Sequence, residues 1–142
     1  MTKQTKVTLV LRDDLPVSHA VNASAVLALS LGGRLGSSLG HDGEDASGGV
    51  HAGLNTHPIP VLSASEAELR TLLERVGAAD EVQLVALNET ARQARDYDTY
   101  LAELKTTPAN TLEYLGVIVH GPRNKVSKLT RHLPLMGASV AS

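Results

Sequence analysis

Val7 to Leu11 is an unbroken apolar run rich in β-branched and large aliphatic residues, closed by Arg12-Asp13-Asp14. It predicts a buried strand. Pro16 then imposes an extended or turned backbone. From Ser18 to about Leu31 the chain is apolar nearly all round, which predicts a buried helix packed closely through Ala20, Ala23, Ala25 and Ala28 and stopped by Gly32-Gly33. Residues 36–58 hold Gly36, Gly40, Gly43, Gly48, Gly49 and Gly53. A loop of that length is expected to be functional or mobile.

Ile59 to Leu62 reads as a short strand, and the flanking Pro58 and Pro60 place it at a sheet edge. Ser65-Glu66-Ala67-Glu68 is a capping box that starts a helix with Leu69, Leu72, Leu73 and Val76 on one face, ended by Gly77. Val82 to Leu87 predicts a third strand. A helical region begins at Asn88 and is expected to break near Arg95-Asp96, carry Tyr97, Tyr100, Leu101 and Leu104 beyond the break, and stop at Thr107-Pro108. Leu112 to Val119 predicts the fourth strand, and Gly121-Pro122 opens a last helix with Val126 and Leu129 facing inward.

Strands alternating with helices predict a single α/β domain over residues 6–137, with residues 138–142 as a flexible tail. The sheet is expected to be four-stranded and mixed, mainly parallel, with helices on both faces. In such sheets ligands bind outside the carboxyl ends of the strands. The ends read here are Arg12-Asp13-Asp14, Asn88-Glu89-Thr90 and His120-Gly121-Pro122.

Composition narrows the chemistry. The 142 residues include three Tyr and neither Phe nor Trp, so the core is aliphatic and aromatic base-stacking platforms are disfavoured. The absence of cysteine excludes disulfides, zinc–thiolate sites and thiol catalysis. The net charge of −2 gives no global footprint for nucleic acid, which leaves that partner weakly supported. The charge is uneven: residues 120–142 carry four Lys/Arg and no acid, against nine Lys/Arg and fifteen Asp/Glu before them. No apolar run approaches the length of a membrane span, and the polar N-terminal residues lead directly into a strand. Both point to a cytoplasmic protein without a membrane partner.

Gly36-Ser37-Ser38-Leu39-Gly40 matches a nucleophile elbow in letters, but the elbow needs a strand before its serine, and here a helix precedes it. No nucleotide fingerprint occurs, and no cofactor is expected. His41, His51 and His57 lie near Asp42, Glu44 and Asp45 at spacings that match no standard metal site, so they read as a solvated loop. His19 and Asn22 either support a helix start or line a pocket beside the end of the first strand. The last helix carries Arg123, Lys125, Lys128, Arg131 and His132, either as a solvated face or as an anion site at a helix N-terminus.

The segments Val7–Leu15 and Tyr114–Val119, and above all the run from Gly121-Pro122-Arg123-Asn124-Lys125 to His132-Leu133, resemble the type 2 peptidyl-tRNA hydrolase superfamily. Asp45-Ala46-Ser47-Gly48, His51-x-Gly53, Pro58-Ile59-Pro60-Val61-Leu62 and Tyr114-Leu115-Gly116 resemble its uncharacterised branch, catalogued as domain of unknown function family 2000. The resemblance covers roughly residues 6–137. It implies a four-stranded mixed sheet between helices, frequently a homodimer, and ester cleavage by an early-helix lysine with an aspartate after the third strand. Here Ser18-His19-Ala20 offers no lysine and the aspartate position is Asn88, which cannot act as a carboxylate base.

Three expectations follow. One is a domain that binds a small molecule or an anion among Arg12, Asp13, His19, Asn22, Asn88, Thr90, His120 and Lys128, without the hydrolase catalytic set. The second is an esterase acting on an aminoacyl or peptidyl ester, with His19 or His120 as base. The third is a dimerisation module using Val117, Ile118 and Val119 or the Pro58–Pro60 edge.

Overall fold

The apolar run that opens the chain becomes strand β1 (Thr5–Arg12), whose residues alternate between the two faces of a central sheet. The computed structural model describes residues 4–138. Residues 139–142 of the expected tail lie outside the described residues. After β1 come α1 (Val17–Leu35), the short strands β2 (Gly43–Glu44) and β3 (Val50–His51), β4 (Val61–Ala64), α2 (Glu66–Gly77) and β5 (Gln83–Asn88). Two short helices, α3 (Glu89–Gln93) and α4 (Tyr97–Lys105), precede β6 (Tyr114–Pro122) and α5 (Arg123–Thr130).

The main sheet has the order β4-β1-β6-β5. β1 pairs with β4 in parallel, while β6 is antiparallel to both β1 and β5. The sheet is mixed, as expected, but it is not mainly parallel in its pairing: three strands share a direction, yet β6 is inserted between two of them and reverses both junctions. This changes the geography of the site. The carboxyl end of β6 lies beside the start of β1, where Thr5 opposes Pro122 and Val7 opposes His120.

Val7, Leu9, Leu11 and Ile118 face α1 and pack on Ala20, Ala23, Leu27 and Leu31. Val10, Val117 and Val119 face the other way, onto Leu69, Leu72 and Val76 of α2 and Val126 and Leu129 of α5. Each face thus buries one aliphatic layer, the main favourable term in folding. Gly116 lets α1 approach, since a Cβ there would stand 2.8 Å from Leu11 Cδ2 and 3.4 Å from Leu27 Cδ1.

The capping box forms: Glu68 N–H donates to Ser65 Oγ at 3.1 Å and Ser65 N–H to Glu68 Oε1 at 2.9 Å. The expected break in the helical region falls between α3 and α4. Two expectations for α1 are corrected. It continues through Gly32-Gly33 to Leu35, because Leu35 still packs against the core and offsets a glycine cost of about 1 kcal/mol each. It also buries only one face, leaving Val17, Val21 and Leu29 62–81% exposed.

Of the two surfaces read for dimerisation, the one on the last strand is not free. Val117, Ile118 and Val119 have no exposure, since β6 is central. The Pro58–Pro60 segment lies against β1, with Leu9 N–H donating to the Pro60 carbonyl at 3.0 Å. No helix among the described residues is long and apolar enough to cross a membrane.

The glycine-rich stretch is an ordered excursion. Leu39 bridges Asn55, and Gly43 and Glu44 pair with His51 and Val50. Asp45 organises the turn, its Oδ1 accepting from Ser47 N–H and Gly49 N–H at 2.9 Å each and its Oδ2 meeting His51 Nε2 at 2.8 Å. These contacts hold the Asp45 carboxyl below its usual range, the His51 bond contributing most. The expectation of a merely solvated loop is corrected for Asp45 and His51, because a two-stranded excursion without a core needs such side-chain ties.

Candidate functional site

Antiparallel β6 divides the eight candidate residues between two ends and two faces of the sheet. Arg12, Asp13, His19, Asn22, Asn88 and Thr90 gather around the carboxyl ends of β1 and β5 and the first turns of α1. His120 lies at the opposite end, beside Val7 and Gln83. Lys128 sits on α5, across the sheet from α1. The expectation of one pocket holding all eight is therefore corrected.

Several of these groups already have structural work. Arg12 pairs with Asp14 and reaches the Tyr114 carbonyl, bracing the start of β6. Asp13 N–H donates to the Ala64 carbonyl at 2.8 Å, continuing the β1–β4 ladder. Asn88 is 5% exposed, and its Oδ1 accepts the Ala91 N–H at 2.8 Å as the cap of α3. A carboxamide suits that role. Thr90 lies half-buried in the first turn of α3. Glu89, next along, is clamped by the Arg92 guanidinium and by Gln93. The Arg92 bond is the main reason the Glu89 carboxyl is lowered to about 2. A carboxylate held that firmly is a poor proton acceptor near neutral pH.

Of the six candidates at this end, Asn22 faces a substantial space. A groove of about 530 Å³ runs between α1, the edge strand β5 and the α3–α4 segment. Asn22, Val26, Ser30 and Arg34 of α1 form one wall, and Leu84 to Leu87 line the floor. Tyr97 and Tyr100 form the other wall, their rings in an edge-to-face pair at 5.6 Å. Arg34 makes no ion pair among the described residues. Residue-by-residue reading missed Arg34 and the two tyrosines as groove residues. The tyrosines were read only as a helix face, and nothing in one dimension brings α4 beside α1. The groove falls within the volume range of ligand sites, with an apolar body and a few polar groups to orient an occupant.

A second cavity of about 420 Å³ lies at the other end of α1, lined by Val7, Leu31, Leu35, Leu39, Ile59 and Ile118 among others. Of its polar residues, Ser38 and Asn55 hydrogen-bond to each other at 3.2 Å. Ser38 is thus a staple for the excursion, in keeping with the missing strand before the Gly36–Gly40 elbow.

His120 stands near this second cavity in an edge-to-face pair with His57, ring centroids 5.7 Å apart. His57 Nε2 lies 2.9 Å from Thr5 Oγ1, and Nδ1 of both rings is buried without a hydrogen-bond partner among the described residues. Burial, then the neighbouring His57, pushes the His120 pKa below its ordinary 6.5. An unfolded chain takes up the proton more readily, so this group's contribution to stability is complete above about pH 6.5 and is lost as the pH falls toward the folded value. The denaturation midpoint is expected to decline between about pH 7 and pH 5, with a shallower decline in His120→Gln. An identical slope in the variant would assign the effect to another group.

The basic last helix is partly matched by acid from elsewhere. Lys125 Nζ lies 3.7 Å from Glu81 and donates to the Asp80 carbonyl at 3.1 Å. Among the described residues no group of three His, Cys, Asp or Glu side chains is placed to hold a metal ion.

Comparison with known proteins gives a family and a fold. Residues 5–137 match the family described as protein of unknown function (DUF2000). A solved structure of a protein of unknown function from Agrobacterium tumefaciens strain C58 is similar, with a TM-score of 0.85 and 24% identity over 96% of this chain and 100% of that one. No curated protein matches the chain.

Proposed function

We propose, from the premise that the chain belongs to the DUF2000 family, that it is a binding domain whose site is the groove between α1, β5 and α4. The observation that carries this reading is the pairing of an unengaged Arg34 with an apolar, tyrosine-walled space. Such a space suits an amphipathic ligand: an apolar body against Val26 and the tyrosines, and an anionic group at the guanidinium. The earlier expectation of a small-molecule or anionic ligand is kept, and its residues become Asn22, Ser30, Arg34, Tyr97 and Tyr100. The esterase expectation, with His19 or His120 as base, finds no free carboxylate beside Asn88, which is spent as a cap, because Glu89 is clamped.

The test is thermal denaturation with N-acetyl tyrosine, N-acetyl leucine and other small amphipathic carboxylates. A ligand at a hundredfold excess over its Kd stabilises by about 2.7 kcal/mol, a shift of several degrees. Arg34→Gln is expected to weaken binding about tenfold or more, the worth of one charge-assisted hydrogen bond. Absence of any shift across the panel, or equal binding by Arg34→Gln, would overturn the reading.

A further inference from the structure

The two edges of the sheet are treated differently by the chain itself. The β4 edge is closed: Leu62 bridges Leu135, Ser63 N–H donates to the Pro134 carbonyl at 2.9 Å, and Met136 N–H donates to the Val61 carbonyl at 2.9 Å. The β5 edge is not. In β1, Leu9 N–H points to the β4 side, donating to Pro60. Alternation of the ladder then turns the even residues of β1 toward β6. Carried across β6 by the registers Leu9–Ile118 and Val85–Ile118, it directs Val85 at β6 and the peptide groups of Leu84 and Ala86 outward. Among the described residues, neither outward group has a hydrogen-bond partner.

β5 also lacks the usual protection of an edge. Its segment Gln83-Leu84-Val85-Ala86-Leu87 carries no lysine, no proline and no charge. The groove runs along this edge, and Leu84 to Leu87 are consecutive in its lining, so backbone as well as side chains face the space.

We infer that the groove takes an extended polypeptide segment, which adds to the sheet as a fifth strand along β5; this rests on the groove being the binding site. A single strand fits better than a second copy of the chain. The groove along the edge lies between α1 and the tyrosines of α4, a space suited to one narrow extended segment. A segment spanning Leu84 to Leu87 runs about 13 Å and uses both outward N–H and both outward C=O groups. Its side chains alternate between the α1 wall and the open side. α1 returns antiparallel to β1, so Arg34 stands toward the Leu84 end, where it suits an acidic side chain of the segment. The tyrosines suit an apolar one.

The test uses the ¹⁵N-labelled full chain with two probes. The first is a degenerate pool of acetylated six-residue peptides that alternate apolar and polar positions around one fixed aspartate. The second is the same pool N-methylated at alternate positions, which removes backbone donors. The plain pool is expected to shift the β5 signals, slow exchange of the Leu84 and Ala86 amides and bind about tenfold tighter than the methylated pool, the worth of one hydrogen bond at the upper end of the usual range. Ala86→Pro removes an outward donor without breaking the β6 ladder, and is expected to lose about the same factor. Should that variant not fold, the methylated pool decides alone. If N-acetyl tyrosine or N-acetyl leucine shifts the groove signals while both pools bind equally or not at all, the strand is overturned and the groove stands. If neither carboxylates nor peptides move any groove signal, both are overturned. If the Leu84 and Ala86 amides become protected with protein concentration alone, the edge belongs to a second copy and the peptide inference fails.

Discussion

Leu27→Ala is expected to lower the unfolding free energy by about 2–5 kcal/mol, the usual cost of truncating a buried leucine. Leu27 is 1% exposed and lies where α1 meets the sheet. Its Cδ1 is within contact range of the position that Gly116 leaves without a side chain. Backbone on both sides limits collapse into the space, which favours the upper part of the range. At roughly 3 °C per kcal/mol for a chain of this size, the melting midpoint falls by about 6–15 °C. Leu29→Ala supplies the comparison. Leu29 is two residues away on the same apolar helix but 81% exposed, and its truncation is expected to change stability by less than about 0.5 kcal/mol. Equal effects in the two variants, read by chemical denaturation, would mean that α1 buries its other face. Because Leu27 also lines the groove, the variant is further expected to weaken ligand binding.

Gly53→Ala is expected to unpair the 38–56 excursion while leaving the domain folded. A Cβ at position 53 would stand 1.9 Å from the Gly40 carbonyl oxygen and 2.9 Å from its carbon. Both are backbone atoms, so no side chain can swing away. The contact lies between the Gly40–Leu54 hydrogen bond of 2.8 Å and the Asp42 bond to Gly53 N–H of 2.8 Å. Residues 36–58 contribute nothing to either buried core. The loss is therefore local: hydrogen exchange of Gly40, Gly53 and Thr56 amides should rise steeply, with the global midpoint nearly unchanged. A large fall in the global midpoint would show that the excursion supports the domain.

Much of the fold was legible in the order of residues. The apolar run at Val7–Leu11, the capping box at Ser65–Glu68 and the break before Asp96 each follow from interactions within a few residues. Such patterns report local structure directly. The misreading of how much of α1 is buried has a physical source. An alanine-rich apolar helix reads as buried, yet Val17, Val21 and Leu29 face away from the sheet, and sequence does not say how many neighbours a helix meets. The candidate site was legible only in part. Of the eight candidates named, only Asn22 lines the proposed groove. Arg34, Tyr97 and Tyr100 carried no signal, because the groove exists only where α4 comes to stand beside α1.

The sequence by itself determined the elements, the aliphatic core and the absence of thiol chemistry, since these follow from local patterning and composition. Tertiary structure alone decided the direction of β6. Both directions satisfy the same buried run of Val117, Ile118 and Val119, because burial is indifferent to strand polarity. That one choice moved His120 to the far end of the sheet from Asn88. The strand order, a second tertiary outcome, placed β6 between β1 and β5 and left β5 as the edge along which the groove runs.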